Sequence, residues 1–190
     1  MTGELIEGDL VMSAEKDRIA KAALAEVPNE GAILLDTGST VARLAMALPV
    51  DRELTIVTNS ISLAQSLCEH PNFTLMLLGG RIRSRSMSSV DSWVLRALAD
   101  TYVDVAFIAA DGVSVDRGLT TPDAASAMVK RAAIAAARRT VLLADHTKVG
   151  RNHLAKFADL KDIDTFITDA GLDPQRKPEI TATGSRLVTA

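Results

Sequence analysis

A chain of 190 residues with 47% apolar residues can bury one sizeable core, and it is too short for two full domains. Its formal net charge of −3, with no concentrated Lys/Arg stripe, argues against a surface that binds nucleic acid by itself. The sequence shows neither a signal peptide nor an apolar run long enough to cross a bilayer, so we expect a cytoplasmic protein.

The N-terminal residues divide into two parts. Residues 1–12 show no clear period, and we interpret them as a tail or the remnant of a linker. From Ser13 to Val27 the apolar residues fall on one face of a helix and charged residues fill the others, which predicts an amphipathic helix. We expect residues 13–190 to form a single domain.

An apolar strand ending at Leu35 is followed by Asp36, Gly38, Ser39 and Thr40 and then by a helical pattern. Unpaired N–H groups and the helix dipole make such a helix start a site for an anion, and phosphate suits the two hydroxyls. The alternative is an ordinary N-cap turn, because Gly, Ser and Thr are favoured there whatever the function.

The same order of strand, polar turn and helix recurs along the chain, which predicts an α/β layered domain with a mostly parallel sheet. In such sheets ligands gather at the carboxyl ends of the strands. The polar groups at the later strand ends are Thr58-Asn59-Ser60, Gly79-Gly80-Arg81, Asp111-Gly112 and the turn from Asp145 to Lys148.

Two further segments and one residue, Trp93, also carry predictions. The stretch Arg81–Ser89 is basic and serine-rich, and it is interpreted either as a solvated loop or as a loop that folds over an anionic ligand. Trp93 is expected to be a core or interface anchor rather than a ligand platform. Gly118–Asp123 predicts a helix start with Pro122 at the first helical position, and Lys130 lies midway along that helix.

Six ordered motifs together resemble the effector-sensing domain of DeoR-family bacterial transcription regulators. They are Leu35–Thr40, Val57–Ser60, Leu77–Arg81, Ala110–Gly112, Leu119–Pro122 and Ala144–Gly150. The resemblance implies a fold similar to ribose-5-phosphate isomerase, of the NagB/RpiA/CoA transferase-like type. It also implies a phosphorylated sugar or polyol as effector, a homodimer or larger homo-oligomer, and a repressor whose DNA affinity the effector changes.

The sequence departs from that family in two places. Members carry an N-terminal winged helix-turn-helix, and the residues before Ser13 leave no room for one, so any contact with DNA is expected through a segment not in this chain. Relatives also have a glutamate where Ala124, Ala125 and Ser126 stand here, which leaves the identity of the effector open.

A sugar-phosphate isomerase is the alternative function. Such enzymes need a carboxylate base within reach of the substrate, and the equivalent neighbourhood here holds Lys130. We therefore expect a sensor rather than an enzyme. The sequence has no metal-ligand cluster and no Gly-x-Gly-x-x-Gly fingerprint, so no metal or cofactor is predicted.

The predicted effector site has three parts. Gly38, Ser39, Thr40 and Lys148 are expected to hold the phosphate. Sugar hydroxyls are expected to meet carboxylate or amide groups. The full set is Asp36, Gly38, Ser39, Thr40, Thr58, Asn59, Ser60, Gly80, Arg81, Asp111, Gly112, Lys130, Asp145 and Lys148, of which Asp36, Asn59 and Asp111 are assigned to the hydroxyls.

Overall fold

The structure is a computed structural model that describes residues 11–190. Seven parallel strands form its central sheet, in the spatial order β12-β11-β9-β6-β1-β2-β3. These strands are β1 (Glu30–Leu35), β2 (Glu53–Thr58), β3 (Phe73–Leu77), β6 (Val103–Ala109), β9 (Ala137–Leu143), β11 (Thr165–Thr168) and β12 (Arg186–Thr189). The remaining strands are β4 (Arg81–Arg83), β5 (Ser88–Val90), β7 (Gly112–Ser114), β8 (Gly118–Thr121) and β10 (Ala155–Ala158). The predicted parallel α/β architecture is confirmed.

Helices cover both faces of this sheet. They are α1 (Ser13–Ala23), α2 (Ser39–Met46), α3 (Ile61–Leu67), α4 (Ser92–Ala99), α5 (Ala124–Ala135) and α6 (Arg176–Thr181), with 3-10 turns at Leu24–Glu26, His146–Lys148 and Leu160–Asp162. Successive side chains of β1 point to opposite faces of the sheet, and both faces are apolar. Ile33 and Leu35 belong to the core that contains α1 and α2, whereas Leu34 belongs to the core that contains α4 and α5. Among residues 11–190 no helix has the length and apolar character needed to cross a bilayer.

The order of the strands places a switch point between β1 and β6. From β1 the chain adds β2 and β3 on one side, and it then returns to add β6, β9, β11 and β12 on the other. The connections that leave the carboxyl ends of β1 and β6 therefore diverge and open a crevice between them. This crevice positions the site described below.

Strands β7, β8 and β10 form a small antiparallel sheet that the sequence patterns did not predict. The prediction of a helix start over Gly118–Asp123 was wrong, because Gly118–Thr121 is a buried strand and α5 begins only at Ala124. Asp123 is the N-cap of α5 and Pro122 precedes it, so the helix-start signal was shifted by two residues.

Strands β4 and β5 pair as an antiparallel hairpin within the segment that was predicted to be a loop. The solvated-loop interpretation was wrong, because Ser89 is held by the fold: its backbone N–H donates to the carbonyl of Asn59, and its hydroxyl donates to that of Leu78. The other interpretation, a segment that folds over an anionic ligand, stays a prediction. Trp93 is the second residue of α4 and is 69% exposed, so it is not a core residue, and its role as an interface anchor stays a prediction. The predicted tail falls outside the described residues except for residues 11 and 12.

Candidate functional site

A cavity of about 540 Å³ opens at the carboxyl ends of β1, β6 and β9. The start of α2, the start of α5, the tip of the β4–β5 hairpin and the turn after β9 complete its wall. Half of the fourteen predicted effector residues line it, namely Gly38, Ser39, Thr40, Asp111, Lys130, Asp145 and Lys148. The cavity thus lies at the switch point of the sheet, where α/β proteins bind ligands.

The start of α2 differs from the other two turns on the cavity wall. Asp123 accepts the backbone N–H of Ser126 (2.7 Å) at the start of α5, and Asp145 accepts that of Thr147 (3.0 Å) in the turn after β9. Gly38 precedes α2, and no side-chain hydrogen bond caps this helix. Backbone N–H groups at a helix start that lacks such a cap can bind a ligand, and the helix dipole favours an anion there.

Gly38 has a structural reason as well. Its φ of 152° lies where side chains are rarely tolerated, and a β-carbon at this position would lie 2.7 Å from that of Ala109. The turn after β1 thereby passes close to the end of β6. A larger residue would push the α2 N-terminus away from the cavity.

Asp36 and Lys130 form a buried ion pair beneath the cavity. The side chains of Asp36 and Lys130 are 3% and 7% exposed, and the Lys130 ammonium donates to the Asp36 carboxylate. The same ammonium donates to the carbonyl of Ala109 (2.9 Å), and Asp36 accepts the backbone N–H of Ala109 (3.0 Å). Because Lys130 lines the cavity and an ammonium has three N–H donors, one donor remains for a ligand.

The turn after β9 is fixed from below by Asp169. Asp169 accepts the backbone N–H of His146 (2.8 Å) and that of Gly171 (2.9 Å), and the His146 imidazole lies 2.7 Å away. Burial alone would raise the pKa of Asp169, but these hydrogen bonds outweigh it and lower the pKa. The carboxylate is therefore ionised at neutral pH and stabilises this turn.

Lys148 presents a positive charge to the cavity from that turn. Within residues 11–190 it makes no ion pair, in contrast to Lys130. Arg151, three residues later, also lines the cavity without an ion pair to any described residue. An anionic ligand can approach Lys148 without displacing a described carboxylate.

Two other carboxylates complete the polar wall. Asp111 accepts the hydroxyl of Thr121 (2.7 Å) and keeps further acceptor capacity. Asp123 is 3.4 Å from Arg83 and also accepts the Ser126 hydroxyl (2.8 Å). Burial opposes ionisation of Asp123, but the hydrogen bonds from Ser126 and the charge of Arg83 together lower its pKa.

The other predicted effector residues do not line the cavity. The hydroxyl of Thr58 donates to the carbonyl of Leu35 (2.7 Å), the Asn59 amide donates to that of Ser89 (3.0 Å), and Ser60 caps α3. Arg81 pairs with Asp91 on the surface. Asp36 lies beneath Lys130, and Gly80 and Gly112 pack against neighbouring backbone. Ligand contacts by these residues remain predictions.

Several residues on the cavity wall were not among the predicted set. Arg83, Arg85 and Ser86 come from the hairpin, and their basic, serine-rich segment after a glycine pair was the available signal. The remaining polar ones are Lys16, Thr37, Thr121, Asp123, Ser126, Thr147 and Arg151. Nothing in the pattern around Lys16 distinguished it from the other charged residues of α1.

Comparison with known proteins identifies the family. The DeoR C terminal sensor domain family matches residues 11–170. The chain belongs to this family. The chain is 35% identical over 173 residues to the HTH-type transcriptional regulator GlpR of Haloferax volcanii, and the match covers 91% of this chain and 68% of that protein. It is 31% identical over 156 residues to the glycerol-3-phosphate regulon repressor of Escherichia coli, covering 82% and 62%.

A third relative is the HTH-type transcriptional repressor GlcR of Bacillus subtilis. It is 34% identical over 158 residues, and the match covers 83% of this chain and 60% of that protein. The chain thus spans about two thirds of the length of these relatives. All three are named as transcriptional regulators or repressors. The family to which the chain belongs thus includes a domain that occurs in transcription regulators.

Solved structures show the same fold at low identity. Ribose 5-phosphate isomerase A from Methanocaldococcus jannaschii has a TM-score of 0.54 and 20% identity, and the match covers 73% of this chain and 55% of that one. The enzyme from Neisseria gonorrhoeae has a TM-score of 0.52 and 18% identity, covering 70% and 52%. These likenesses confirm the predicted isomerase-like fold.

Proposed function

We propose that this chain binds a phosphorylated sugar or polyol in the cavity at the switch point. The observation that carries this proposal is the uncapped N-terminus of α2, which lines the same cavity as Lys148. The phosphate would accept hydrogen bonds from backbone N–H groups at the start of α2 and pair with the ammonium of Lys148. The relative named as the glycerol-3-phosphate regulon repressor supports an effector of this class.

The rest of the ligand would face the other polar groups of the wall. Asp111 accepts from a ligand hydroxyl, and the remaining donor of Lys130 meets a ligand oxygen. Lys130 is not set up as a base in an isomerisation, because it is a cation, and the Asp36 carboxylate beneath it is already paired with it. Binding without turnover follows.

A thermal-shift screen of phosphorylated sugars and polyols tests this function. A ligand of the folded state alone raises the free energy of unfolding by about 2.7 kcal/mol at a hundredfold excess over its dissociation constant. We expect at least one phosphorylated compound to raise the melting temperature. Incubation with aldose and ketose phosphates should show no protein-dependent interconversion. Interconversion lost in the Asp36→Ala or Asp111→Ala variant would instead make this chain an isomerase.

We further propose that residues 13–190 act as the sensing unit of a cytoplasmic repressor of carbohydrate metabolism. The winged helix-turn-helix attached to this unit would bind DNA, and effector binding would change its DNA affinity by favouring one arrangement of subunits. DNA half-sites are usually read by symmetric dimers, so we expect self-association. Trp93, largely exposed, suits an interface. Sedimentation of a monomer at micromolar concentration would contradict this.

A further inference from the structure

The β4–β5 hairpin brings a second group of hydrogen-bond donors to the cavity. Arg85 and Ser86 at its tip line the wall. A guanidinium has five N–H donors in a fixed plane, and a serine hydroxyl can donate or accept. These groups suit the oxygens of a sugar rather than its carbon skeleton.

Asn59 holds this hairpin in place. It is 5% exposed, and its side-chain amide donates to the carbonyl of Ser89 (3.0 Å) while its own carbonyl accepts the N–H of Ser89 (2.9 Å). The first residue of α3, Ile61, donates its N–H to the carbonyl of Met87 (2.9 Å). The end of β2 and the start of α3 therefore fix the β5 side of the hairpin.

The backbone on each side of β5 is strained. Met87 has a φ of 47° and Asp91 a φ of 78° with ψ of −165°, conformations that residues other than glycine rarely adopt. Such residues persist only where surrounding contacts determine the conformation, and they concentrate at ligand clamps. Here the contacts to Asn59 and Ile61 supply that constraint for Met87 and β5.

The hairpin is also joined to the start of α5. Arg83 lies 3.4 Å from Asp123, whose carboxylate is already held by Ser126. The tip thus reaches the cavity between two fixed points, Asn59 at β5 and Asp123 at α5. A rigid tip loses little conformational entropy on binding, which favours ligand affinity.

We propose that Arg85 and Ser86 bind the sugar portion of the effector and that Asn59 is a positioning residue, acting through the hairpin without touching the ligand. This inference rests on the proposed function, since it assigns the phosphate to α2 and Lys148. It gives the Thr58-Asn59-Ser60 motif a role in effector binding although none of the three residues lines the cavity.

Probes of different length test this assignment. Inorganic phosphate can occupy the α2 and Lys148 end alone, whereas glycerol 3-phosphate, ribose 5-phosphate and glucose 6-phosphate extend progressively further. Affinities are measured by calorimetry or thermal shift. With the tightest of the three esters, Arg85→Ala should lower affinity about tenfold or more, as expected for a hydrogen bond from a charged group. Inorganic phosphate should lose less than about twofold.

Arg96→Ala is the matched control, because it removes an exposed arginine of α4 that does not line the cavity. It should leave all affinities unchanged. Equal losses for ester and inorganic phosphate in Arg85→Ala would overturn the assignment to the sugar portion. No loss in that variant would overturn it too, while a retained effect of Lys148→Ala would leave the proposed function intact. If none of the four probes binds, the proposed function fails and this inference fails with it.

A double-mutant cycle tests the role of Asn59. Asn59→Ala should weaken the ester and spare inorganic phosphate, and it should have little further effect once Arg85 is alanine. Combined with Lys148→Ala, its effect should be additive. Additivity with Arg85→Ala would show that Asn59 does not act through the hairpin. Should Asn59→Ala fail to fold, the same cycle is run with Asn59→Asp. This side chain has the same size, but an ionised carboxylate donates no hydrogen bond.

Discussion

Lys148→Ala is expected to weaken binding of a phosphorylated sugar on the order of 10- to 100-fold, because a hydrogen bond to a charged group contributes about 1.5–3 kcal/mol. Lys148 makes no ion pair within residues 11–190, so its removal leaves no described carboxylate unpaired. The corresponding sugar without phosphate should lose less than about twofold in affinity. Isothermal titration of both ligands to the two proteins measures the difference.

The control for this substitution is Lys156→Ala. Lys156 pairs with Asp159 at the surface and lies outside the cavity, so its removal alters net charge by the same amount without changing the site. Binding of the phosphorylated sugar should be unaffected. Equal losses of the phosphorylated and unphosphorylated sugars in Lys148→Ala would remove Lys148 from the phosphate site.

Asp36→Ala and Lys130→Met are each expected to destabilise the folded chain by about 3–5 kcal/mol, because either change leaves one buried charge without its partner. Asp36→Ala also leaves the N–H of Ala109 without its side-chain acceptor. The double variant should lose clearly less than the sum of the single losses, since no charge is then left unpaired. Urea unfolding followed by circular dichroism measures all three free energies.

Lys156→Ala again serves as the comparison, because its ion pair is about half exposed and contributes at most about 1 kcal/mol. Additive losses for Asp36 and Lys130 would show that their interaction does not matter for stability. A folded and stable Asp36→Ala variant would then be available to test whether Lys130 contacts the ligand through its remaining donor.

The sequence was sufficient to predict the central sheet and seven of the residues that line the cavity. Strands such as β1 and β6 are short apolar runs followed by polar turns, and the parallel arrangement brings those turns to one edge of the sheet. The place of the Gly38–Thr40 turn and of Lys148 at this edge could be predicted because their residue types and their position after a strand are informative on their own. Their contact with a phosphate stays a prediction.

The hairpin and the small antiparallel sheet could not be predicted in the same way. Strands β4, β5 and β7 have three residues each, too few for an alternating pattern, and long-range hydrogen bonds such as that from Asn59 to Ser89 hold them. Trp93 was expected to be a core or interface anchor because of its size and helical spacing, but spacing alone does not show which face of α4 meets solvent.

The aspartate caps of α5 and of the turn after β9 have a consequence for the chemistry that this protein can distinguish. With two of the three starts already capped by carboxylates, the backbone donors that we propose for the phosphate lie at the start of α2, and a monoester bound there would be held in one direction. Regioisomers of one sugar, such as a 1-phosphate and a 6-phosphate, then place their ring hydroxyls against different side chains. A sensor with this arrangement would distinguish sugars by the position at which the phosphate is attached.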